Sequence, residues 1–356
     1  VSETISDTKD SMVETIVEAK EAIDSTSISR ENGVWTLDTD LDEIADILPF
    51  GIMDLDKDTG ENQVSMQVDR KKGEVRITSS SLAISGMNVS GLQLGYAKLQ
   101  NVEIIVKNAQ INLPLLGEVS VGASEANAKK SARISIGSVI GSNAVYDDGT
   151  EVIRASQIEL LNLLIESEMG GESFGMQPQN ASFSVGEAKI TGLESDALSG
   201  NLSATDASAS LDTTTNAAQF AAASVLGSGL SRDGLGIENT ELQALQGNIA
   251  SGANGQVANV SAKQALISGV NIDQQSEESD SSGNNLAINL NIDQARVNDL
   301  DSGSVDADQL DFSDLHLSQS QDKMGVSASK ASATNLDSSI LDAKTLDLND
   351  LHYSED

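Results

Sequence analysis

Cysteine is absent from this 356-residue chain, which excludes disulfide frameworks, thiolate zinc sites, iron–sulfur clusters and cysteine nucleophiles. Histidine is nearly absent too, with only His316 and His352, which leaves little for imidazole metal ligation or histidine-based catalysis. Aromatic residues make up 3% of the chain, so a core must be built from aliphatic side chains. No run approaches the length of apolar sequence a membrane-spanning helix needs, roughly 18 residues. Positive charge is scarce: 21 Lys and Arg stand against 55 Asp and Glu, a net charge of −34. That balance argues against direct binding to nucleic acid phosphates or anionic lipid.

What is present is a period of five. From Leu82 to Ile104 apolar residues fill the first and third place of every five, as Leu82/Ile84, Met87/Val89, Leu92/Leu94, Ala97/Leu99 and Val102/Ile104. The frame returns over 220–272, with weak points at Arg232, Gly247 and Gly252, and in shorter blocks at 153–167 and 183–202. A second repeat sits on top of it near the end. Residues 290–318 match 326–354 at an offset of 36, pairing Leu300 with Leu336, Asp311 with Asp347 and His316 with His352.

A helix repeats every 3.6 residues and a strand every two, so neither alone gives five. A three-residue extended segment followed by a two-residue corner does, with two side chains pointing inward and one outward. Gly at Ser85-Gly86, Ser90-Gly91, Thr191-Gly192 and Ser268-Gly269 suits corners that require positive φ. Such units bury their aliphatic slots only by stacking on one another.

Units such as AKITG (188–192), ALISG (265–269) and ARVND (295–299) resemble the pentapeptide-repeat family. The resemblance covers about half the chain, and LDAKT (341–345) reverses the family's small-then-large order. It implies a mainly β fold, a right-handed β-solenoid with a quadrilateral β-helix-like cross-section. About nine coils at roughly 4.8 Å each would make a rod on the order of 45 Å long. The frame is expected to break at about 112–151, 168–182, 203–219, 273–287 and 318–325, with SEESDSS (276–282) as an extruded acidic loop.

Residues 1–75 read differently and are expected to form a small N-terminal α/β cap on the solenoid of residues 76–356. Apolar residues at helical spacing over 8–25, with Ser11 and Glu14 as a capping box, predict a helix. VWTLD (34–38) reads as a strand, and VSMQVDRKKGEVRIT (64–78) as a hairpin.

Three features carry candidate chemistry. Asp54, Asp56 and Asp58 with Gly60 have part of a calcium-loop pattern, but the Gly is one place late and Ser65 stands where the closing Glu belongs. A turn between strands accounts for the same residues. Asp301, Asp306, Asp311, Asp337, Asp342 and Asp347 occupy the outward slot of their units, where stacking aligns them as an interaction surface or as a solvated face that resists edge aggregation. His316 and His352 hold equivalent places in the two 36-residue copies and read as architectural. No P-loop, dinucleotide fingerprint, GxSxG or HExxH occurs, so the expectation is a non-enzyme with no cofactor beyond a conceivable Ca2+.

The chain begins at Val1 without an initiator Met. Together with the missing cysteine and polar acidic exterior, this leads to the expectation of a bacterial secreted or cell-surface rod, fibre subunit or adhesion scaffold. Its partners would be proteins or copies of itself. The alternative is an intracellular acidic DNA mimic that occupies the DNA site of a topoisomerase or another DNA-binding protein, a role the resemblance also implies.

Overall fold

The computed structural model describes residues 27–31, 34–40, 51–55, 62–69, 71–89, 92–108, 110–113, 117–120, 130–147, 152–169, 178–195, 198–212, 214–215, 217–232, 234–252, 255–272, 286–320, 323–338 and 340–355. Among them every regular element is a strand. Short strands come first: β1 (Ser27–Glu31), β2 (Val34–Asp40), β3 (Gly51–Leu55) and β4 (Gln63–Asp69). Long ones follow, β5 (Glu74–Val89) and β6 (Leu92–Lys107), then a separate small hairpin of β7 (Gln110–Leu113) and β8 (Gly117–Ser120). The rest are β9 (Lys130–Asp147), β10 (Val152–Met169), β11 (Pro178–Glu194), β12 (Ser199–Asp212), β13 (Ala217–Arg232), β14 (Leu235–Gly252), β15 (Gly255–Ile272), β16 (Leu286–Asp301), β17 (Val305–Ser320), β18 (Lys323–Ser338) and β19 (Ala343–Glu355).

All but β7 and β8 belong to one 17-stranded sheet. Its neighbours follow chain order: β1 pairs β2, β2 pairs β4, and both β3 and β4 lie along one edge of β5. From β5 the order is β6, β9, then every strand in turn to β19. Because β3 and β4 share one layer, the 17 strands make 16 layers, on the order of 70 Å at 4.8 Å per step. Among the described residues β1 pairs only with β2 and β19 only with β18, so the sheet is open at both ends.

The long strands bend twice. In β6 the buried residues are Leu94, then Ala97 and Leu99, then Val102, Ile104 and Val106. Strict alternation would turn Ala97 to the opposite face from Leu94. A corner that takes up one extra residue restores the phase, so one face of the strand stays inward along its whole length. The ladder skips the same two places in strand after strand. Between β5 and β6 it omits Gly86 opposite Gly95 and Ser80 opposite Asn101. Between β6 and β9 it omits Gly95 opposite Asn143 and Asn101 opposite Gly137.

Extending this register gives two rows of corners across the thirteen strands β5–β6 and β9–β19, six residues apart in every one. In each strand the later corner in chain direction has positive φ. Thus Gly86, Asn143, Gly192, Gly229, Gly269, Asp299 and Asn335 lie in one row, and Asn101, Asn162, Asp206, Ala244, Asp314 and Asp350 in the other. The left-handed conformation at these points explains the restriction to Gly, Asn and Asp; Ala244, with φ 51°, is the exception. The two rows divide the sheet into three panels, bent into a trough.

The period of five is therefore real at the level of local geometry: two inward residues per panel, then a corner. The inward columns run unbroken between strands. One reads Leu82, Leu99, Val139, Leu160, Ala188, Ala204, Val225, Leu242, Ala265, Ala295, Phe312, Ala331 and Leu348 in directly opposed pairs. Burying a Leu or Ile in such a column contributes about 1.5–3 kcal/mol relative to exposure. The trough is packed with Leu, Ile and Val at β2–β11, where Met66, Leu82, Ile84, Leu99 and Ile104 are at most 2% exposed. A second cluster of Ala262, Ala265, Ile292 and Ala295 is covered by Leu242, Leu245, Leu290, Phe312 and Leu315.

The winding departs from the coil the sequence pattern suggests. Strands from β5 to β19 pair antiparallel except for β15 with β16, which run parallel. A four-sided coil needs further corners to close, whereas each strand here crosses two and then meets a reversing turn. Several of those turns are locked by a serine hydroxyl. Leu198 N–H donates to Ser195 Oγ at 3.0 Å, Val305 N–H to Ser302 Oγ at 2.9 Å and Leu341 N–H to Ser338 Oγ at 2.9 Å. The hairpin at 64–78 forms as expected, with Lys71 N–H and Lys72 N–H donating to Asp69 Oδ1 and Gly73 at φ 64°. VWTLD lies in β2. The helix expected over 8–25 and the loop at 276–282 fall outside the described residues.

The frame also persists where the sequence suggested interruption. β9 keeps it with Ala132, Ile136, Val139 and Ala144 buried, and Gly141 fills an inward place under Leu94. Leu82 and Leu92 belong to the large cluster, whereas Leu235 is 37% exposed and Leu310 half-buried. The shared interior therefore thins towards the C-terminal end.

Candidate functional site: an acidic ladder on the outer face

The outward residues of the last four strands collect the acidic side chains. Beyond the corner row that holds Asp299 and Asn335, Asp301 of β16 stands directly opposite Asp306 of β17, and Asp306 opposite Asp337 of β18. Asp342, just before β19, completes the row by interacting with Asp337. All four are exposed. Side chains directly opposed on one sheet face have Cβ atoms about 5 Å apart, and like charges there repel. The Asp337 carboxyl is accordingly pushed above its ordinary range, first by its hydrogen bond with Asp342, then by the charge of Asp342, by desolvation and by Asp306.

Asp311 and Asp347 lie elsewhere, on the middle panel, with Ser332 between them. Asp311 is paired: Arg296 Nε donates to its Oδ1 at 2.6 Å, and the Gln309 amide donates to the same carboxylate. The six aspartates singled out in the sequence thus divide into a row of four and two separate residues, one of them neutralised. His316 and His352 flank Ser327 in a single outward column, and His316 Nδ1 lies 2.6 Å from Asn291 Oδ1. Their shared column matches the 36-residue repeat.

Of the calcium-loop candidates, Asp54 lies in β3 opposite Ser85, while Asp56 and Asp58 fall outside the described residues. Among the described residues no three His, Asp or Glu side chains gather in a way that could hold a metal ion.

The corner rows add polar residues that hydrophobic spacing does not reveal. Ser329 Oγ donates to Asp314 Oδ2 at 2.7 Å, and the Asn335 amide donates to Asp308. Asp299, Asp308, Asn335 and Lys344 fall in one row; Asp293, Asp314, Ser329 and Asp350 in the other. The signal in the sequence is an Asn, Asp or Gly directly before an inward aliphatic residue, as in Asn101-Val102, Asp299-Leu300, Asp314-Leu315 and Asn335-Leu336.

At the opposite end of the sheet several described charged groups are paired. Arg76 bridges Glu74 and Glu103, and the Arg30 guanidinium lies 4.9 Å over the Trp35 ring. Among the described strands, it is in β16–β18 that exposed aspartates stand directly opposite one another. No family model, curated protein or solved structure matches the chain significantly.

Proposed function

We propose that the chain is a non-enzymatic structural and interaction protein, a solenoid-like scaffold with an N-terminal cap, working at a cell surface or outside the cell. The observation that supports this most is uniformity. Thirteen strands cross the same two corner rows six residues apart, and their polar side chains are distributed along a repeating outer face. Catalysis calls for convergent groups in a pocket; the row of Asp301, Asp306, Asp337 and Asp342 offers instead a short, exposed acidic strip. Such a strip suits a cationic protein partner held by many weak contacts, which sets encounter rate and salt dependence more than affinity.

The test has two arms. Small-angle scattering and electron microscopy of purified protein are expected to give a slab on the order of 70 Å along the stacking direction. Fractionation of the producing cell is expected to place the protein outside the cytoplasm. A compact, near-spherical particle sinks the scaffold, and a cytoplasmic protein sinks the surface assignment.

A further inference from the structure

The last strand, β19, presents a register that fits a second copy of itself. The 36-residue repeat makes β19 a copy of β17: Leu346, Leu348, Leu351 and Asp350 stand where β17 has Leu310, Phe312, Leu315 and Asp314. The edge that β17 offers to β18 is thus offered again by β19, which among the described residues pairs only with β18. Its inward Leu348 is 42% exposed, and Leu341, just before the strand, 44%.

Two geometric conditions decide what can continue the sheet. The first is antiparallel entry with both corner rows in line, and every antiparallel neighbour from β5 onward pairs an earlier corner with a positive-φ corner. In β19 these are Lys344 and Asp350. Placing Lys344 opposite the second copy's Asp350 puts Asp347 opposite Asp347 on a two-fold axis. The inward residues then meet as Leu346 with Leu348 and Ala343 with Leu351, and the outward ones as Asp342 with His352 and Thr345 with Asn349. The second condition is charge. This register creates two Lys344–Asp350 ion pairs and sets Asp342 opposite the imidazole of His352, against one Asp347–Asp347 repulsion. Pairing β19 with β1, the strand at the other end, fails the first condition, since β1 has 5 residues and reaches across only one panel.

We propose that two copies of the chain join through their β19 edges, antiparallel about Asp347, into a closed two-fold dimer with one continuous trough. This rests on the scaffold reading and names the scaffold's self-partner. A two-fold contact uses up the edge on both molecules, so it yields dimers and no filaments.

The natural absence of cysteine makes the register directly readable. Asp347→Cys is expected to give a disulfide-linked or bis-maleimide-linked dimer in high yield. Thr345→Cys and Asn349→Cys alone are expected to cross-link poorly, and an equimolar mixture of the two efficiently. In sedimentation, Lys344→Glu is expected to weaken the dimer about tenfold, and Asp347→Asn to tighten it. Circular dichroism of each variant checks that the fold is kept. A monomer at high micromolar concentration overturns the proposal, as does equal cross-linking at all three positions or growth of filaments. Filaments, or dimers with another register, leave the scaffold reading intact; a monomer of compact shape removes both.

Discussion

Ala244 is the point where the corner rule can be tested most sharply. It has φ 51° and is exposed, so its side chain contributes little packing. An L-residue with a Cβ in this conformation costs roughly 1–2 kcal/mol. Ala244→Gly removes that strain and adds back about 0.5–1 kcal/mol of backbone entropy. The expected net gain is about 0.5–1 kcal/mol. Lys263 stands opposite in the same corner of β15, exposed and without positive φ. Lys263→Gly has only the entropic term and is expected to lose about 0.5–1 kcal/mol. Two glycines introduced across from each other thus differ by about 1–2 kcal/mol in opposite directions. A repetitive sheet need not unfold as one unit, so local amide hydrogen exchange over 235–252 and 255–272 is the suitable assay, with urea unfolding beside it. A difference of 1 kcal/mol changes local opening about fivefold. If Ala244→Gly exchanges faster than the parent, or if the two variants behave alike, the corner rule is wrong.

Three further predictions follow from the packing and the charges. Leu99, 2% exposed between Leu82 and Val139, is expected to lose about 2–5 kcal/mol on truncation to Ala, whereas Leu348→Ala at the exposed edge costs far less; urea unfolding of the two compares them. A Cβ at Gly247 would sit 2.2 Å from Phe220 Cζ. Gly247→Ala is therefore expected to destabilise by about 1–3 kcal/mol, and a double-mutant cycle with Phe220→Leu should recover part of the loss. The folded-state pKa of Asp337 is raised, so its contribution to stability is present below the unfolded value of about 3.9 and is lost as pH rises through the folded value. Asp337→Asn is accordingly expected to raise the melting temperature at pH 7 but not near pH 3, with a smaller gain in high salt; equal gains at both pH values would contradict this.

Much of this architecture is legible in the sequence because one physical rule writes it. Inward residues at the first and third place of five mark panel and corner, as at Leu92, Leu94, Ala97, Leu99, Val102 and Ile104, and Ser-Gly pairs such as Ser85-Gly86 and Ser268-Gly269 mark positive φ. The direction of winding is not legible, because a corner and a reversing turn use the same residues. Ser302-Gly303 and Ser228-Gly229 look alike, yet the first belongs to a hairpin turn and the second bends β13 midway. Gly247, a weak point of the frame, and Gly141, inside the expected break at 112–151, conceal inward positions that Phe220 and Leu94 fill from the neighbouring strand, a compensation no single-strand pattern can display. The acidic row was visible as spacing, but its membership was not. Asp301, Asp306, Asp337 and Asp342 come together only because the chain doubles back, which sends Asp311 and Asp347 to another panel.

The single parallel step between β15 and β16 has a consequence for how this molecule is built. β5–β6, β9–β10, β11–β12, β13–β14, β16–β17 and β18–β19 are hairpin modules whose tips share one rim of the trough. β15 lies between two such modules without a hairpin partner on that rim, and the parallel junction lets the modules resume in phase after it. β16 repeats the register of β15 at an offset of 30 residues. Excising 256–285 would therefore bring β16 onto β14 with both corner rows aligned. The odd strand is thus a point where shortening by 30 residues keeps the corner register and replaces the β14–β15 interface with a new β14–β16 one.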